Sequence, residues 1–404
     1  MKKVLAMLLA CIVTISLTAC GSTNTGINTD GDNQPTSKQA EMTSVNEEDM
    51  FVVTNEAREG SSPVEYDAKK PAEVAKAFVR SLASGDYKTV ISMLNISESP
   101  FVLSEDIEFA IPKSKYSSIL DLNEKKVYLV VNEENINKTD NGINVVVSIM
   151  SENKMLNNYN VSLTKEMNGT YMVNADAFYL KDYYISVPGD TKLLINDMEV
   201  PEKYIDSPCG HNDLKNLYLI PYIGKETKEI KVVSNNFTET KKVLPVATTK
   251  EKPFIIVKNL ENVELDESLT AVKDLWNNLY NDFSKGASIE DIGKYFAENV
   301  DTQVYADIFD CFEKIRKGSG GYKDIDHQIT TIEKRADAEC FYITDDVIVM
   351  NFQYQVDWKW DFSLGGPESG RRMNHILIQK TSDGYKIYEV SAIDLFGDVS
   401  GKEW

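Results

Sequence analysis

The sequence has few of the residue types that build metal sites and catalytic centres. It contains three histidines and five cysteines in 404 residues, and no paired Cys-x-x-Cys spacing that would predict a structural zinc site. No serine lies in the Gly-x-Ser-x-Gly turn that exposes the nucleophile of many hydrolases. The cysteines are also too few for the disulfide framework of a small secreted domain. We therefore predict no metal, no cofactor and no catalytic residue.

Positive charge is scarce as well. The chain has 63 acidic and 43 basic residues, which gives a formal net charge of −20 at pH 7. A strongly acidic surface repels the phosphates of nucleic acids and of anionic lipids, so we expect no nucleic-acid partner. Hydrophobic residues make up 42% of the sequence, which is enough material for two or three cores of ordinary size.

Residues 1–19 have the order of a secretory signal. Two lysines near the start precede an apolar run over residues 4–17, which is too short to span a bilayer permanently. The run leads into four residues that form a box: Leu17, Thr18, Ala19 and Cys20. This box resembles the lipobox of bacterial lipoproteins, whose cysteine receives a diacylglycerol and becomes the first residue after cleavage. The alternative is an ordinary secretion signal with an incidental cysteine.

The resemblance implies a lipid anchor on Cys20 at the outer face of the cell membrane. Two acyl chains form a two-signal anchor, so we expect negligible release. No later apolar segment approaches the roughly 18 residues that a spanning helix needs, so we expect the rest of the chain to be extracytoplasmic. Residues 20–67 are rich in Ser, Thr, Asn, Gly and acidic side chains and predict a disordered tether. As a flexible coil it would span roughly 35 to 40 Å.

From residue 68 the apolar periodicity becomes that of folded structure. Pro71 stands where a first helical turn tolerates proline, and apolar residues follow at helical spacing as far as Gly85. Asp86 can cap a second helix. Strands are then predicted at 126–131, 143–150, 159–165 and 171–175, the last pair joined by the hairpin turn Asn168-Gly169. Two helices followed by a meander predict an α+β domain over 68–180.

The same order returns near the C-terminus, over 263–397. A helical apolar stripe ends at Gly286, and Ser288 with Asp291 resembles a capping box for a second helix. Strands are predicted at 324–332, 338–344, 347–362, 373–380 and 385–393. The two ends of the chain therefore look like diverged copies of one domain. Between them, 181–262 has short strands separated by Pro, Gly and Asn turns and predicts a small β-sandwich.

Short motifs in these domains resemble known families. The helix ends FVRSLASGDY (78–87) and LYNDFSKG (279–286), with the closing turns NGTYMV (168–173) and DGYKIY (383–388), are similar to nuclear-transport-factor-like cone domains of Gram-positive lipoproteins. ISVPGDTKLLIND (185–197) resembles the small β domains of the membrane-anchored teicoplanin-resistance-associated family, which alternate with cone domains outside the cell.

The resemblance implies an α+β fold in which two cone-shaped domains, each made of helices and a curved antiparallel sheet, flank an all-β sandwich. This chain departs from the teicoplanin-resistance-associated family, which carries a cytoplasmic zinc ribbon and a transmembrane helix. A lipid anchor stands in place of both. The departure puts any role in intracellular signalling in doubt.

A cone domain curls its sheet around a space that either holds a small ligand or is filled by side chains. Alternation along 347–362 predicts one face made of Phe352, Tyr354, Val356, Trp358, Trp360 and Phe362. That face either stacks sugar rings or wall peptides or forms the domain core, and the core is the simpler interpretation. The candidate pocket residues are Tyr354, Trp358, Trp360, His375 and Arg371.

Other reactive side chains also have two interpretations. His327 and His375 suit proton transfer near neutral pH, but Asp326 and His327 are neighbours in one strand and face opposite ways unless a bulge intervenes. The basic segment 365–372, which contains Arg371, either grips a carboxylate or phosphate or is a flexible hairpin end. Cys311 and Cys340 either form one disulfide or remain two buried thiols.

The sequence thus predicts a lipid-anchored extracytoplasmic protein that acts as a non-catalytic binding or interaction module in the cell envelope. Its expected partner is the cell wall or an envelope protein. The alternative is a C-terminal cone that binds small ligands, or acts weakly as an enzyme, on wall-derived fragments. The sequence leaves the oligomeric state open.

Overall fold

The fold of this chain is described by a computed structural model over residues 50–54, 65–97, 99–139, 142–209, 214–298, 300, 326–359 and 368–390. These residues form helices and sheets in which every strand pair but one is antiparallel, which confirms the predicted α+β class. In the described residues no helix is both long enough and apolar enough to cross a bilayer.

The N-terminal domain places helices against a curved sheet. Its helices are α1 (Pro71–Ala83), α2 (Tyr87–Met93) and α3 (Ser104–Ala110). Its strands are β1 (Phe51–Val52), β2 (Lys126–Val131), β3 (Asn137–Thr139), β4 (Gly142–Ser151), β5 (Lys154–Lys165) and β6 (Tyr171–Val173). The order in the sheet is β1-β2-β4-β5-β6, with β3 paired to β4.

The predicted two-helix opening of this domain is confirmed. Pro71 begins α1, and the buried side chains Val74, Phe78 and Leu82 follow one side of the helix. Gly85 follows the end of α1 and has φ +71°, a left-handed conformation that glycine adopts at little cost. Asp86 then caps α2 by accepting a hydrogen bond from the Thr89 amide at 3.2 Å.

Phe51 and Val52 belong to the sheet, although the predicted tether runs to residue 67. β1 pairs with β2, and Val53 is buried. The Arg80 guanidinium lies 5.3 Å from the centre of the Phe51 ring. The sequence pattern missed this strand because two or three apolar residues are too few to define a period.

The middle segment is a sandwich of two sheets. Its strands are β7 (Tyr179–Pro188), β8 (Lys192–Ile195), β9 (Met198–Glu199), β10 (Ile205–Ser207), β11 (Lys215–Gly224), β12 (Lys228–Val233), β13 (Thr238–Val243) and β14 (Phe254–Ile255). One sheet has the order β10-β11-β7-β14 and the other β13-β12-β8-β9. Apolar side chains from both sheets share one buried core, among them Ile185, Ile195 and Ile230.

The C-terminal domain repeats the arrangement of helices on a sheet. Its elements are α4 (Asn262–Ser284), α5 (Ile289–Ile292), β15 (Asp326–Lys334), β16 (Phe341–Tyr342), β17 (Val347–Lys359), β18 (Glu368–Thr381) and β19 (Gly384–Val390). The sheet order is β15-β17-β18-β19, with β16 paired to β17. The predicted capping box is confirmed, since Ser288 and Asp291 exchange hydrogen bonds at the start of α5.

Buried side chains join the sandwich to both flanking domains. Phe101, from the N-terminal domain, lies in the sandwich core with its ring 5.8 Å from Tyr204. At the other end, the rings of Phe237 and Tyr342 are 4.9 Å apart. Leu214 also contacts the C-terminal sheet, in a small cluster with Ile343, Val347, Val349 and Leu377.

An ion cluster lies at the first of these junctions. Lys228 of β12 places its Nζ 2.6 Å from Asp106 Oδ1 of α3, and the two side chains are 2% and 1% exposed. Glu226 forms a second ion pair with the same ammonium. Asp106 also accepts a hydrogen bond from the Leu103 amide at 2.9 Å. The positive charge of Lys228 is therefore fully enclosed by acidic partners from two domains.

We predict that Lys228→Met lowers the free energy of unfolding by about 3 to 5 kcal/mol, because it leaves two carboxylates near each other without their cation. Urea denaturation of the full chain measures the effect. Lys231→Met is the matched control on the same strand, since its partner Asp197 has a side chain 74% exposed. Equal shifts of the urea midpoint in both variants would contradict the prediction.

Candidate functional site

The predicted aromatic face of β17 lies against helix α4. Phe352 and Tyr354 are buried, with ring centroids 5.7 Å apart, and Tyr354 is 7% exposed. They belong to one hydrophobic cluster with side chains of the helices and neighbouring strands, including Trp276, Leu279, Ile292, Ile329, Ile376 and Ile378. The described part of this face is therefore domain core.

The other face of the same sheet carries His375. Antiparallel pairing places His375 of β18 directly opposite Asn351 of β17, and directly paired residues share a face. The His375 Nδ1 lies 2.7 Å from Asn351 Oδ1. Because Asn351 precedes Phe352 by one position, His375 is on the opposite side of the sheet from Tyr354. These two candidate pocket residues cannot line one pocket.

The remaining candidates are placed by their backbones or lie outside the described residues. Arg371 pairs with Gln355 in the β17–β18 ladder, and Trp358 pairs with Glu368 and, on its other side, with His327. The side chains of Arg371, Trp358 and His327 are outside the description. The other predicted residues lie entirely outside the described part of the chain, backbone included: Leu17, Thr18, Ala19, Cys20, Cys311 and Trp360.

Burial controls the charge of His375. It lowers the pKa of the imidazole to about 4, with the Arg335 guanidinium contributing in the same direction. Asn351 donates its Nδ2 to the Glu339 carbonyl at 2.6 Å, so its Oδ1 accepts from a protonated His375 Nδ1. His375 is therefore a neutral hydrogen-bond donor at pH 7. A general base works best with a pKa near the operating pH, and His375 is far from that value.

Cys340, Asn351 and His375 converge in a pattern that resembles the setting of a thiol nucleophile. The backbone N–H of Asn351 donates to Cys340 Sγ at 3.3 Å. However, Cys340 belongs to the inner hydrophobic cluster, whereas His375 is on the outer face. Burial raises the pKa of the Cys340 thiol, and a nucleophilic thiolate requires a lowered one. The arrangement joins β16, β17 and β18 and does not activate the thiol.

Polar contacts that sequence reasoning missed lie beside this core. The Tyr342 hydroxyl donates to Glu264 Oε1 at 2.6 Å, and burial together with that carboxylate raises the pKa of Tyr342. Ser268, fully buried on α4, lies 3.4 Å from the Tyr385 hydroxyl. These contacts join residues about 80 or more positions apart in the sequence, so no local sequence motif predicts them.

The interior of the N-terminal domain is also occupied by aromatic side chains. Tyr116 stacks on Phe178 with ring centroids 5.8 Å apart, and both are buried. Three polar side chains lie beside this aromatic cluster. Ser118 Oγ is 3.0 Å from the Tyr159 hydroxyl, and Asn157 Nδ2 donates to the same Oγ. In both helix-and-sheet domains the described inner face is thus filled by the protein's own side chains.

An open groove of about 460 Å³ lies on the exposed side of α4, away from the sheet. It is lined by Val263, Asp266, Glu267, Thr270, Ala271 and Asp274. Neither Tyr354 nor His375, the two candidate pocket residues whose side chains the structure describes, borders it. Its lining is acidic, like the chain as a whole, and so gives no indication of a particular ligand.

We predict that His375 makes the protein less stable in mild acid. The unfolded imidazole takes up a proton near pH 6.5, whereas the folded one does so only near pH 4, so stability falls as the pH drops between these values. The loss is on the order of 2 to 3 kcal/mol. Urea midpoints between pH 7 and pH 4 measure it, and His375→Gln should remove this component. An unchanged pH dependence in the variant would refute the assignment.

Comparison with known proteins finds no matching family model and no matching curated protein. Among solved structures, one similar chain is an Ntf2-like protein involved in plasmid conjugation, with 11% identity, coverage of 78% of this chain and 94% of that chain, and a TM-score of 0.20. Another is the intermembrane space region of the chloroplast protein ARC6, with 11% identity, coverage of 32% and 95%, and a TM-score of 0.21.

Proposed function

We propose that the protein is a lipid-anchored extracytoplasmic lipoprotein that acts as a non-catalytic binding or interaction module in the cell envelope. The observation that carries the proposal is the box Leu17-Thr18-Ala19-Cys20, which follows a basic start and a short apolar run. The finer assignment is part of the same proposal: a Gram-positive lipoprotein whose cone domains and sandwich resemble the extracellular part of the teicoplanin-resistance-associated family.

The reach of the anchored protein follows from the position of β1. Since Phe51 and Val52 pair into the N-terminal sheet, the proposed tether comprises residues 21–49 instead of extending to 67. A flexible chain of that length has an r.m.s. span of about 30 Å and an extended limit of about 100 Å. The folded domains would therefore search a zone close to the outer face of the membrane.

Binding without catalysis is supported by the positions of the candidate residues. Tyr354 is in the core, and the sheet separates it from His375. The low pKa of His375 and the raised pKa of Cys340 suit buried structural roles. A partner is then met by exposed surface, and the net charge of −20 favours neutral or basic partners over anionic polymers.

One observation favours the alternative of a small-ligand pocket in the C-terminal cone. The indole nitrogen of Trp276 is buried at the inner face and has no hydrogen-bond partner among the described residues. Buried donors are normally paired, so a ligand carbonyl or hydroxyl would satisfy this group. Trp358→Ala and Trp360→Ala should then abolish ligand binding while the domain stays folded.

We predict that Cys20→Ala releases the protein from the membrane and abolishes its metabolic labelling with palmitate. The variant lacks the thiol that would carry the acyl chains, and with them it loses the membrane affinity of about 0.8 kcal/mol for each buried methylene group. Cell fractionation and labelling measure both effects. Cys11→Ala, a cysteine within the apolar run, is the matched control and should behave like the unaltered protein. Retention of label by Cys20→Ala would refute the anchor.

We predict that the soluble chain from residue 48 onward sediments with purified cell-wall sacculi, and that high salt does not prevent it. An acidic protein gains little from non-specific attraction to anionic wall polymers, so salt-resistant sedimentation reports specific recognition. The sedimented fraction at low and high salt is the measurement. Absence from the pellet would exclude the wall as the partner, and cross-linking in intact cells would then identify an envelope protein.

A further inference from the structure

The sheet of the N-terminal domain has one face in the core and one face that solvent reaches. Side chains alternate along β4 and β5, and the directly paired Val147 and Tyr159 are buried in the domain core. Ser148 and Asn158 form the next pair and lie on the other side of the sheet. We call the side chains on that side of β2, β4 and β5 the neutral face: Val130, Asn144, Val146, Ser148, Asn158, Asn160, Ser162 and Thr164.

None of these eight side chains carries a charge, although 26% of the chain is Asp, Glu, Lys or Arg. The exposed surface of a soluble protein normally has charges of both signs spread over it. Charged side chains border the neutral face at Lys126, the first residue of β2, and at Lys154 and Lys165, the two ends of β5. Depletion of charge at the centre of a patch is typical of surfaces that bind a partner.

The neutral face is accessible, and part of it is held in place before a partner arrives. Asn158 and Asn160 are exposed, and Val130 is 41% exposed. Ser148 Oγ donates to Asn158 Oδ1 at 2.7 Å, which fixes the orientation of the Asn158 amide. A fixed side chain loses less entropy on binding than a mobile one. Because all members are small, an extended molecule can lie across the three strands.

The groups on this face match those of a sugar chain. The amides of Asn144 and Asn160 each supply two N–H donors and an acceptor oxygen, and the hydroxyl of Ser162 donates and accepts. Sugar rings present hydroxyls that also donate and accept. Val130 and Val146 add apolar surface for the C–H groups of a ring. The neutral face therefore complements an uncharged, hydroxyl-rich polymer.

Other partners fit the neutral face less well. Protein interfaces depend on large anchors such as Trp, Tyr and Arg, and the face has none. Tyr128, on the same side of β2, is only 7% exposed, and its hydroxyl donates to Asn153 Oδ1. A second copy would also bring its own charge of −20. An anionic polymer or lipid surface needs basic side chains at the centre of the contact, whereas the lysines here lie at the margin.

We propose that the neutral face binds an uncharged, hydroxyl-rich polysaccharide chain. Asn144, Asn158 and Asn160 form hydrogen bonds to its hydroxyl groups, and Val146 contacts the apolar side of a ring. A polymer offers many equivalent sites to a protein held near it, so weak single contacts are sufficient for retention. The proposal rests on the proposed envelope function, because it names the class of wall component that the binding module recognises.

The test measures adsorption of the full mature chain, prepared without lipid, to chitin, an uncharged insoluble polymer of N-acetylglucosamine. We expect saturable adsorption that is equal at low and high salt, since neither surface has a charge to be screened. Asn158→Ala combined with Asn160→Ala should weaken adsorption about tenfold, because two hydrogen-bonding groups are lost. Asn160→Asp keeps the size of the side chain and adds a charge, and it should weaken adsorption by a similar factor.

Thr240→Asp is the matched control, because Thr240 is exposed on β13, in a different sheet. It adds the same charge and should leave adsorption unchanged. The replaced side chains are exposed, so the urea midpoints of all these variants should match that of the unaltered protein. A loss of adsorption at an unchanged midpoint then reports binding and not folding.

Failure of the unaltered chain to adsorb to chitin, or adsorption that the Asn158 and Asn160 variants do not change, would overturn the proposal. Sedimentation with sacculi without adsorption to chitin would overturn it as well, while the proposed envelope function stands. Adsorption through the neutral face without sedimentation with sacculi would support this surface and count against the cell wall as its natural ligand. A dimer in analytical ultracentrifugation that Asn160→Asp dissociates would assign the face to a second copy instead.

Discussion

Asn351 lies opposite His375 where β17 pairs with β18, and that register determines both faces of the C-terminal sheet. On one face Phe352 and Tyr354 meet α4 and form the domain core. On the other face, Val349 contacts Leu214 of the sandwich. His375 lies next to it on that face and is buried and neutral. A shift of one residue would turn the aromatic side chains toward the sandwich and the amides into the core. The interior of the domain and its contact with its neighbour therefore depend on the same pairing.

The sandwich is bound to its neighbours by side chains that cross each junction. Phe101 enters the sandwich core from one side, and Phe237 meets Tyr342 on the other. Separation at the first junction would also part Lys228 from Asp106, whose side chains are both buried there. Junctions of this kind resist relative motion more than polar domain contacts do. In the proposed function, the protein would then reach different positions in the envelope through motion of the tether and not through motion between its domains.

Periodicity and turn chemistry were sufficient to predict α1, α2, α4, α5, the meanders and the α+β class, because each depends on residues close in sequence. They missed α3, whose seven residues are too few to show a clear helical period. Long-range pairing was not predictable in the same way. Asp106 and Lys228 are 122 residues apart, and nothing near either one indicates the other. The division of Tyr354 from His375 has a similar cause, since alternation within one strand gives its two faces but not the register of the next strand. The predicted pocket combined residues that the sheet keeps apart.

In the proposed function, a filled interior changes what the protein can offer a partner. Aromatic side chains such as Tyr116 and Tyr354 are used for packing, so the described inner faces contribute stability and leave recognition to the outside. The surface there is acidic overall, which opposes contact with anionic polymers at long range. A neutral or basic partner meets no such barrier, and confinement near one membrane would raise its effective concentration. Moderate affinity at an exposed surface would then suffice for binding, without a deep pocket.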